Sequence, residues 1–193
     1  MRGARLSRAL SALALGVGAA LILTPFVWML SLSLKPRDEI FSAEIALLPS
    51  RLEWANYVHA FAATDLALYL WNGVVVVLGI LVLQILFAMP CAYALAQRRF
   101  RARSLIFGLV LAALLVPFHV TAIPVFLGLA ELRLLNTYWA LILPFVPTAF
   151  GIFLFRQFAK QIPVELIDAA RVDGLSETAI VWRIVFPLAL PAA

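Results

Sequence analysis

The chain has 193 residues, 65% hydrophobic and 13% charged, with a mean hydropathy of +1.04 and a formal net charge of +5. No soluble core of this size buries so much apolar side chain, so the composition excludes a soluble globular domain and places the protein in a membrane. Cys91 stands alone, and His59 and His119 fall in different segments without ligand spacing, so neither a disulfide nor a metal site is expected.

In chain order, four uncharged runs reach the roughly 20 residues needed to cross a hydrocarbon core about 30 Å thick. They are Ala9 to Leu34, Leu66 to Gln97, Ser104 to Ala130 and Leu134 to Phe155. A run such as "GVVVVLGILVLQILFAM" does not alternate apolar with polar, so outer-membrane strands are excluded and the spans are helices. The first run is too long for the apolar region of a signal peptide, about 7–15 residues, and is expected to persist as a helix.

The second run carries Asn72 and Gln84, and the third carries His119 and Thr121 between Pro117 and Pro124. Polar groups at such depth face other helices or a water-filled path. Interhelical hydrogen bonding and a translocation pathway both remain open for these four residues. Pro25, Pro90, Pro117, Pro124, Pro144 and Pro147 each remove a backbone donor and invite a kink.

Between the first two runs, residues 35–65 form a predicted external segment in which Leu52, Tyr57, Val58 and Phe61 recur at helical spacing. A short amphipathic helix is expected there, resting on its own bundle or on an external partner. With residues 1–8 placed in the cytoplasm, eleven of the fifteen Lys and Arg residues fall in inside segments. Only Lys35, Arg37, Arg51 and Arg133 fall outside. The net charge is thus a topology signal rather than a nucleic-acid footprint, and "RRFRAR" at 98–103 is a positive-inside stop or a contact for anionic lipid.

The stretch "ELIDAARVDGLSETAIVWRIVFPLALP" breaks the apolar pattern. Glu165, Asp168, Arg171 and Asp173 would each cost about 2.5–3.5 kcal/mol near a bilayer centre, roughly 10 kcal/mol together. The segment is therefore cytoplasmic, within a region 156–193. Pro163 suits a first helical position, Glu165 the first turn, and Gly174 a left-handed terminus, which predicts one helix over 163–173. Ser176 caps a second, whose stripe Ile180, Val181, Ile184 and Val185 ends as Pro187 is reached. The small pair Ala169 and Ala170, ringed by Asp168, Arg171 and Asp173, has the makeup of a docking knob; a hairpin resting on the membrane surface fits the composition as well.

"DAARVDG" followed by "IVFP" resembles the EAA loop of bacterial ABC importer permeases, at Ala169, Ala170, Gly174, Ile184 and Pro187. Asp168 stands for the family's glutamate and Phe186 for its leucine. "TPFVWMLSLSLKP", "IPVFLGLAELRLLNTYWALILP" and "FGIFLFRQFAKQIPVELIDAARVDG" are similar to the shorter permease of carbohydrate importers. Arg133 stands where that family commonly has glycine, and Gly73 where serine often follows the asparagine.

The resemblance implies an all-α, polytopic bundle in a bacterial inner membrane, importing a sugar or related solute. It also implies a second permease subunit, a cytoplasmic ABC ATPase dimer that hydrolyses ATP, and an extracytoplasmic solute-binding protein. The chain itself would hold no cofactor, metal or catalytic residue. Glu165, Asp168, Ala169, Ala170, Arg171, Asp173 and Gly174 would couple to the ATPase. Family permeases continue for two more membrane helices after this loop, so residues 156–193 would end in the start of a following helix. On that expectation the chain is a truncated permease, the alternative being a non-transporting remnant or scaffold.

Overall fold

The computed structural model describes residues 2–42 and 46–190, with side chains from Leu10 onward. The side chains of Arg2, Arg5 and Arg8 and the chain end at 191–193 lie outside the described residues, and the expected start of a following helix falls partly on that chain end. The described residues form helices and connecting turns without a strand.

Residues 1–69 form one compact unit. Helix α1, Arg2–Ser33, carries no charge after Arg8, and its 10–33 portion is long and hydrophobic enough to cross a membrane. Its last carbonyls, which no turn of its own can satisfy, meet the external segment. Asn56 Nδ2 donates to Ser33 O at 3.0 Å and to Lys35 O at 2.9 Å, and Glu53 N donates to Leu34 O at 2.9 Å. Ser31 Oγ donates to Leu47 O at 2.5 Å, while the buried Lys35 ammonium donates to Ala46 O and lies 5.1 Å from the centre of the Trp28 ring. The short α2, Arg37–Ile40, follows. The expected amphipathic helix is α3, Ala55–Ala63; Asn56 and Tyr57 pin it to the end of α1, and Val58 and Phe61 remain exposed.

Residues 70–193 form the second unit. The long α4, Leu66–Gln97, would measure about 48 Å at 1.5 Å per residue, well over a hydrocarbon core. Its last turns supply Ala88, Met89, Ala92 and Tyr93 to the main buried core, and Leu95 is also buried.

The third predicted span is broken at Pro117. It is two helices, α5 (Arg103–Leu114) and α6 (Phe118–Glu131), bent by 100° at the break. Pro117 has no N–H to continue the ladder and takes an extended conformation with ψ 135°, so the chain restarts in a new direction. The fourth is milder: α7, Tyr138–Ile142, tightens through Leu143–Phe145 and meets α8, Ala149–Ala159, at 48°. Pro144 and Pro147 interrupt the ladder there, and the Thr148 hydroxyl restarts it by accepting from Gly151 N at 3.0 Å. Two helices are thus long enough to span alone, and the other two runs are bent pairs.

After α8 come α9, Val164–Val172, and α10, Glu177–Ile180. A wide π turn over Val181–Val185 then leads into α11, Phe186–Ala189. The helix runs on through Pro187, where the predicted apolar stripe ends. Widening the turn just before a proline relieves the clash of its ring with the carbonyl four residues back.

Arg133 closes α6 with φ 57°, Leu134 N donating to Leu129 O at 2.9 Å and Arg133 N to Ala130 O at 3.0 Å. That is the terminus glycine makes without strain, so the arginine is the strained choice. Arg133→Gly is expected to raise stability by about 0.5–1 kcal/mol, after the greater freedom of glycine in the unfolded chain is deducted. Thermal unfolding in detergent micelles reads this as a higher midpoint; an unchanged or lower midpoint means the left-handed turn is relaxed.

Candidate functional site

The charged hairpin is built from two ends that the sequence writes plainly. Pro163 precedes the first turn of α9 in extended conformation, one residue ahead of its predicted place, and Glu165 sits where the helix dipole favours an acid. The far end closes as a Schellman motif: Leu175 N donates to Ala170 O and Gly174 N to Arg171 O, both at 3.0 Å, with Gly174 at φ 84°. Two residues later the Ser176 hydroxyl accepts from Ala179 N at 3.2 Å and starts α10.

The two alanines divide. Ala170 is 6% exposed and packs with Ile167, Ile180, Val181 and Val185 against the end of α4, while Ala169 faces outward with Glu165, Asp168 and Asp173. Only Ala169 of the pair is thus available to a partner. Beside it Val172 is 88% exposed, so the hairpin presents a small and an apolar side chain within an acidic rim.

Sequence reasoning missed the centre of the charge network, Glu177. Its Oε1 accepts from Arg98 Nη1 at 2.6 Å and Arg171 Nε at 2.9 Å, and its Oε2 accepts from the Tyr93 hydroxyl at 2.6 Å. Arg171 also donates to Asp168 Oδ1 at 2.6 Å and to the Tyr93 hydroxyl at 3.3 Å. The available signal was an acid placed directly after a Ser cap. Nothing in the order of residues, however, says that Tyr93 and Arg98 lie opposite it.

The hydrogen bond from Arg171 holds the Glu177 carboxyl below the usual glutamate range, with Tyr93 and the charges of Arg171 and Arg98 adding and partial burial opposing. The same bond keeps the Arg171 guanidinium still more firmly protonated than usual.

A second polar set ties the ends of α4 and α8 together. Arg156 Nε and Arg103 Nε both donate to Leu95 O at 3.0 Å, and Arg103 Nη2 donates to Ala96 O at 2.9 Å. Gln97 Nε2 donates to Ala159 O at 2.6 Å and Ile162 O at 3.1 Å. Cations at the carbonyl end of a helix are favoured by its dipole, and Arg156 gains further from the Phe107 face, 3.5 Å below its guanidinium.

Of the four polar residues of the apolar runs, three fall in two places. Asn72 Oδ1 accepts from the Tyr138 hydroxyl at 2.6 Å beside an open groove of about 720 Å³ lined also by Asn136, Thr137 and Trp139. Gln84 and Thr121 line a cavity of about 530 Å³ with Phe118, Pro144 and Thr148. Gln84 Nε2 donates to Phe145 O at 2.7 Å, and Thr121 Oγ1 donates to Phe118 O at 2.9 Å. His119 is among the lining residues of neither; its ring lies 6.4 Å from Phe118.

Residues 84–193, more than half of the chain, match the model of the family described as binding-protein-dependent transport system inner membrane component. The chain belongs to that family. The arabinooligosaccharides transport system permease protein AraQ of Halalkalibacterium halodurans is 38% identical over 87% of this chain and 61% of its own length. The lactose transport system permease protein LacG of Rhizobium radiobacter is 34% identical over 92% of this chain and 63% of its own. The sn-glycerol-3-phosphate transport system permease protein UgpE of Yersinia pestis is 36% identical over 89% and 63%. A crystal structure of a bacterial ABC transporter that imports the acidic polysaccharide alginate superposes with a TM-score of 0.78 and 28% identity, over 100% of this chain and 68% of that one. The chain spans less than two thirds of the length of these three relatives.

The family match covers the whole hairpin and the end of α4, so two measurements probe its defining features. Gly174→Ala is expected to cost about 1–2 kcal/mol because the left-handed backbone crowds a Cβ, and Gly174→Asn less. Equal melting midpoints for both variants would contradict that. Glu177 has a depressed folded pKa, so its contribution is complete above about pH 4.3, its unfolded value, and disappears as pH falls through the lower folded value. The melting midpoint of the parent should therefore drop more steeply on acidification than that of Glu177→Gln.

Proposed function

We propose that this chain is a permease subunit of an ATP-driven importer of a sugar or related solute, coupled to a cytoplasmic ATPase through the 156–190 hairpin. The observation that carries the reading is the hairpin itself: a left-handed turn at Gly174, with outward-facing Asp168, Ala169 and Val172 beside it. Such a knob suits a cleft on a partner. The small Ala169 admits close backbone approach, Val172 supplies apolar contact, and Glu165, Asp168 and Asp173 favour basic or amide groups around it.

Orientation rests on charge. Arg98, Arg103, Arg156 and Arg171 gather around the ends of α4 and α8, through Leu95 O and Glu177, and that pole is read as cytoplasmic, with the N-terminus on the same side. ATP would be hydrolysed in the partner, which closes and moves the hairpin as a body, switching the bundle between inward- and outward-facing states. An extracytoplasmic solute-binding protein would deliver substrate to a pathway formed with a second permease. Gln84, Thr121 and Asn72 are the polar groups on offer to it, and His119 lies two residues before Thr121 in sequence. The names of the relatives support an oligosaccharide, a disaccharide or a polyol phosphate as cargo.

The test is the chain assembled with its cognate partners in proteoliposomes. Retention of the ATPase by the tagged permease and ATP-dependent uptake of radiolabelled lactose, arabinooligosaccharide or sn-glycerol 3-phosphate are expected. Ala169→Arg should insert normally yet weaken ATPase retention about tenfold, a change of about 1.4 kcal/mol. Wild-type retention by that variant would remove the hairpin from the coupling role.

A further inference from the structure

The groove at Asn72 is lined by the exposed Asn136, Thr137, Tyr138 and Trp139 and is open surface, and the buried Arg156 and Gln97 only join helix ends. The Glu177 network goes further. We infer that Glu177 is a positioning residue for coupling: it clasps the hairpin to the end of α4, so that a push on α9 is delivered to that long helix rather than absorbed at the Gly174 turn. This inference rests on the permease reading above.

Three observations carry it. First, the clasp bridges elements that the backbone joins only distantly. Arg171 is on α9, Glu177 opens α10, and Tyr93 and Arg98 lie 79 to 84 residues away in sequence from Glu177. Second, each partner has a stated geometry. One carboxylate takes three donors through its two oxygens, and Arg171 is fixed in turn by Asp168 and Tyr93, so neither side chain can swing without breaking several bonds.

Third, the hairpin has a natural place to flex that the clasp spans. Gly174 has no side chain and no neighbour within 4 Å of where a Cβ would be, so its open turn cannot transmit force by packing. The clasp crosses that turn from Arg171 to Glu177 and anchors both sides to α4. Beside it, Pro90, Ala94, Thr178, Val181 and Trp182 enclose a further cavity of about 280 Å³, room into which an unclasped α10 can shift.

The experiment measures the distance between spin labels at Leu166→Cys on α9 and Phe87→Cys on α4, in a Cys91→Ser background, in the complete transporter complex. Both label sites are exposed, and neither is in the clasp. With the clasp intact the distance is expected to stay the same between the nucleotide-free complex and the complex trapped with ATP and vanadate. In Arg98→Ala, which removes one of the two α4 donors to Glu177 and leaves Tyr93, trapping should shift it by about 2 Å or more, the scale of helix displacements in such transitions. ATPase retention should stay at the parent level, and uptake per ATP hydrolysed should fall several-fold. Arg98→Lys, which keeps the charge, should recover part of the parent behaviour.

An unshifted distance in both Arg98→Ala and Glu177→Ala, or a parent that shifts as much as they do, overturns the clasp while leaving the permease reading intact. Parallel loss of ATPase retention and uptake would assign the cluster a docking or folding role and also overturn it. A parent chain that retains no ATPase removes the permease reading, and the clasp with it.

Discussion

The last turns of α4 must be held by protein, and much of the second unit follows from that constraint. A helix about 48 Å long emerges from a hydrocarbon layer of about 30 Å, and its emergent end carries carbonyls with no partner in the helix. Arg103 and Arg156 occupy those carbonyls, Gln97 reaches back to the end of α8, and Met89, Ala92 and Tyr93 bury their side chains against the hairpin. The arginines do more than mark an inner side. They are the ligands of a helix terminus, which explains why Arg156 is buried without a carboxylate beside it among the described residues.

The hairpin shows how one short segment serves two surfaces. Ile167 and Ala170, three residues apart, lie on one face of α9 and enter the core; Asp168 and Ala169 lie between them and face out. Ala169 and Ala170, about 100° apart around the helix, point to different surfaces here. Ala170 is small because α9 approaches its own bundle closely, and Ala169 is small where a partner would approach. Gly174 then turns the chain without adding bulk to either surface.

How much of this could be read from the order of residues depends on the range of the interaction. The first two spans, the Ser176 cap and the left-handed Gly174 are fixed by neighbours a few residues away, and each lies where local rules place it. The 100° turn at Leu115–Pro117 was announced by a proline, but whether a proline kinks a helix or breaks it depends on what can satisfy the freed groups nearby. At Pro187 the outcome was the reverse, because a π turn absorbed the ring. Glu177 was out of reach for a different reason: its partners Tyr93 and Arg98 belong to a helix that is adjacent only once the fold exists.

Magnitudes separate what holds the hairpin from what aims it. Burying an isoleucine such as Ile167 or Ile180 stabilises by about 2–3 kcal/mol, and the hairpin buries both with Val181 and Val185. The side chains of Glu177 and Arg98 are 41% and 48% exposed, where an ion pair contributes about 0.2–1 kcal/mol. The clasp therefore adds little to the attachment. Apolar contacts, however, are non-directional, and a buried isoleucine tolerates sliding that a carboxylate held by three donors does not. A weak but directional cluster laid over a strong but non-directional core fixes the angle of α9 against α4 at small cost in stability, so that a partner moving α9 would carry α4 with it.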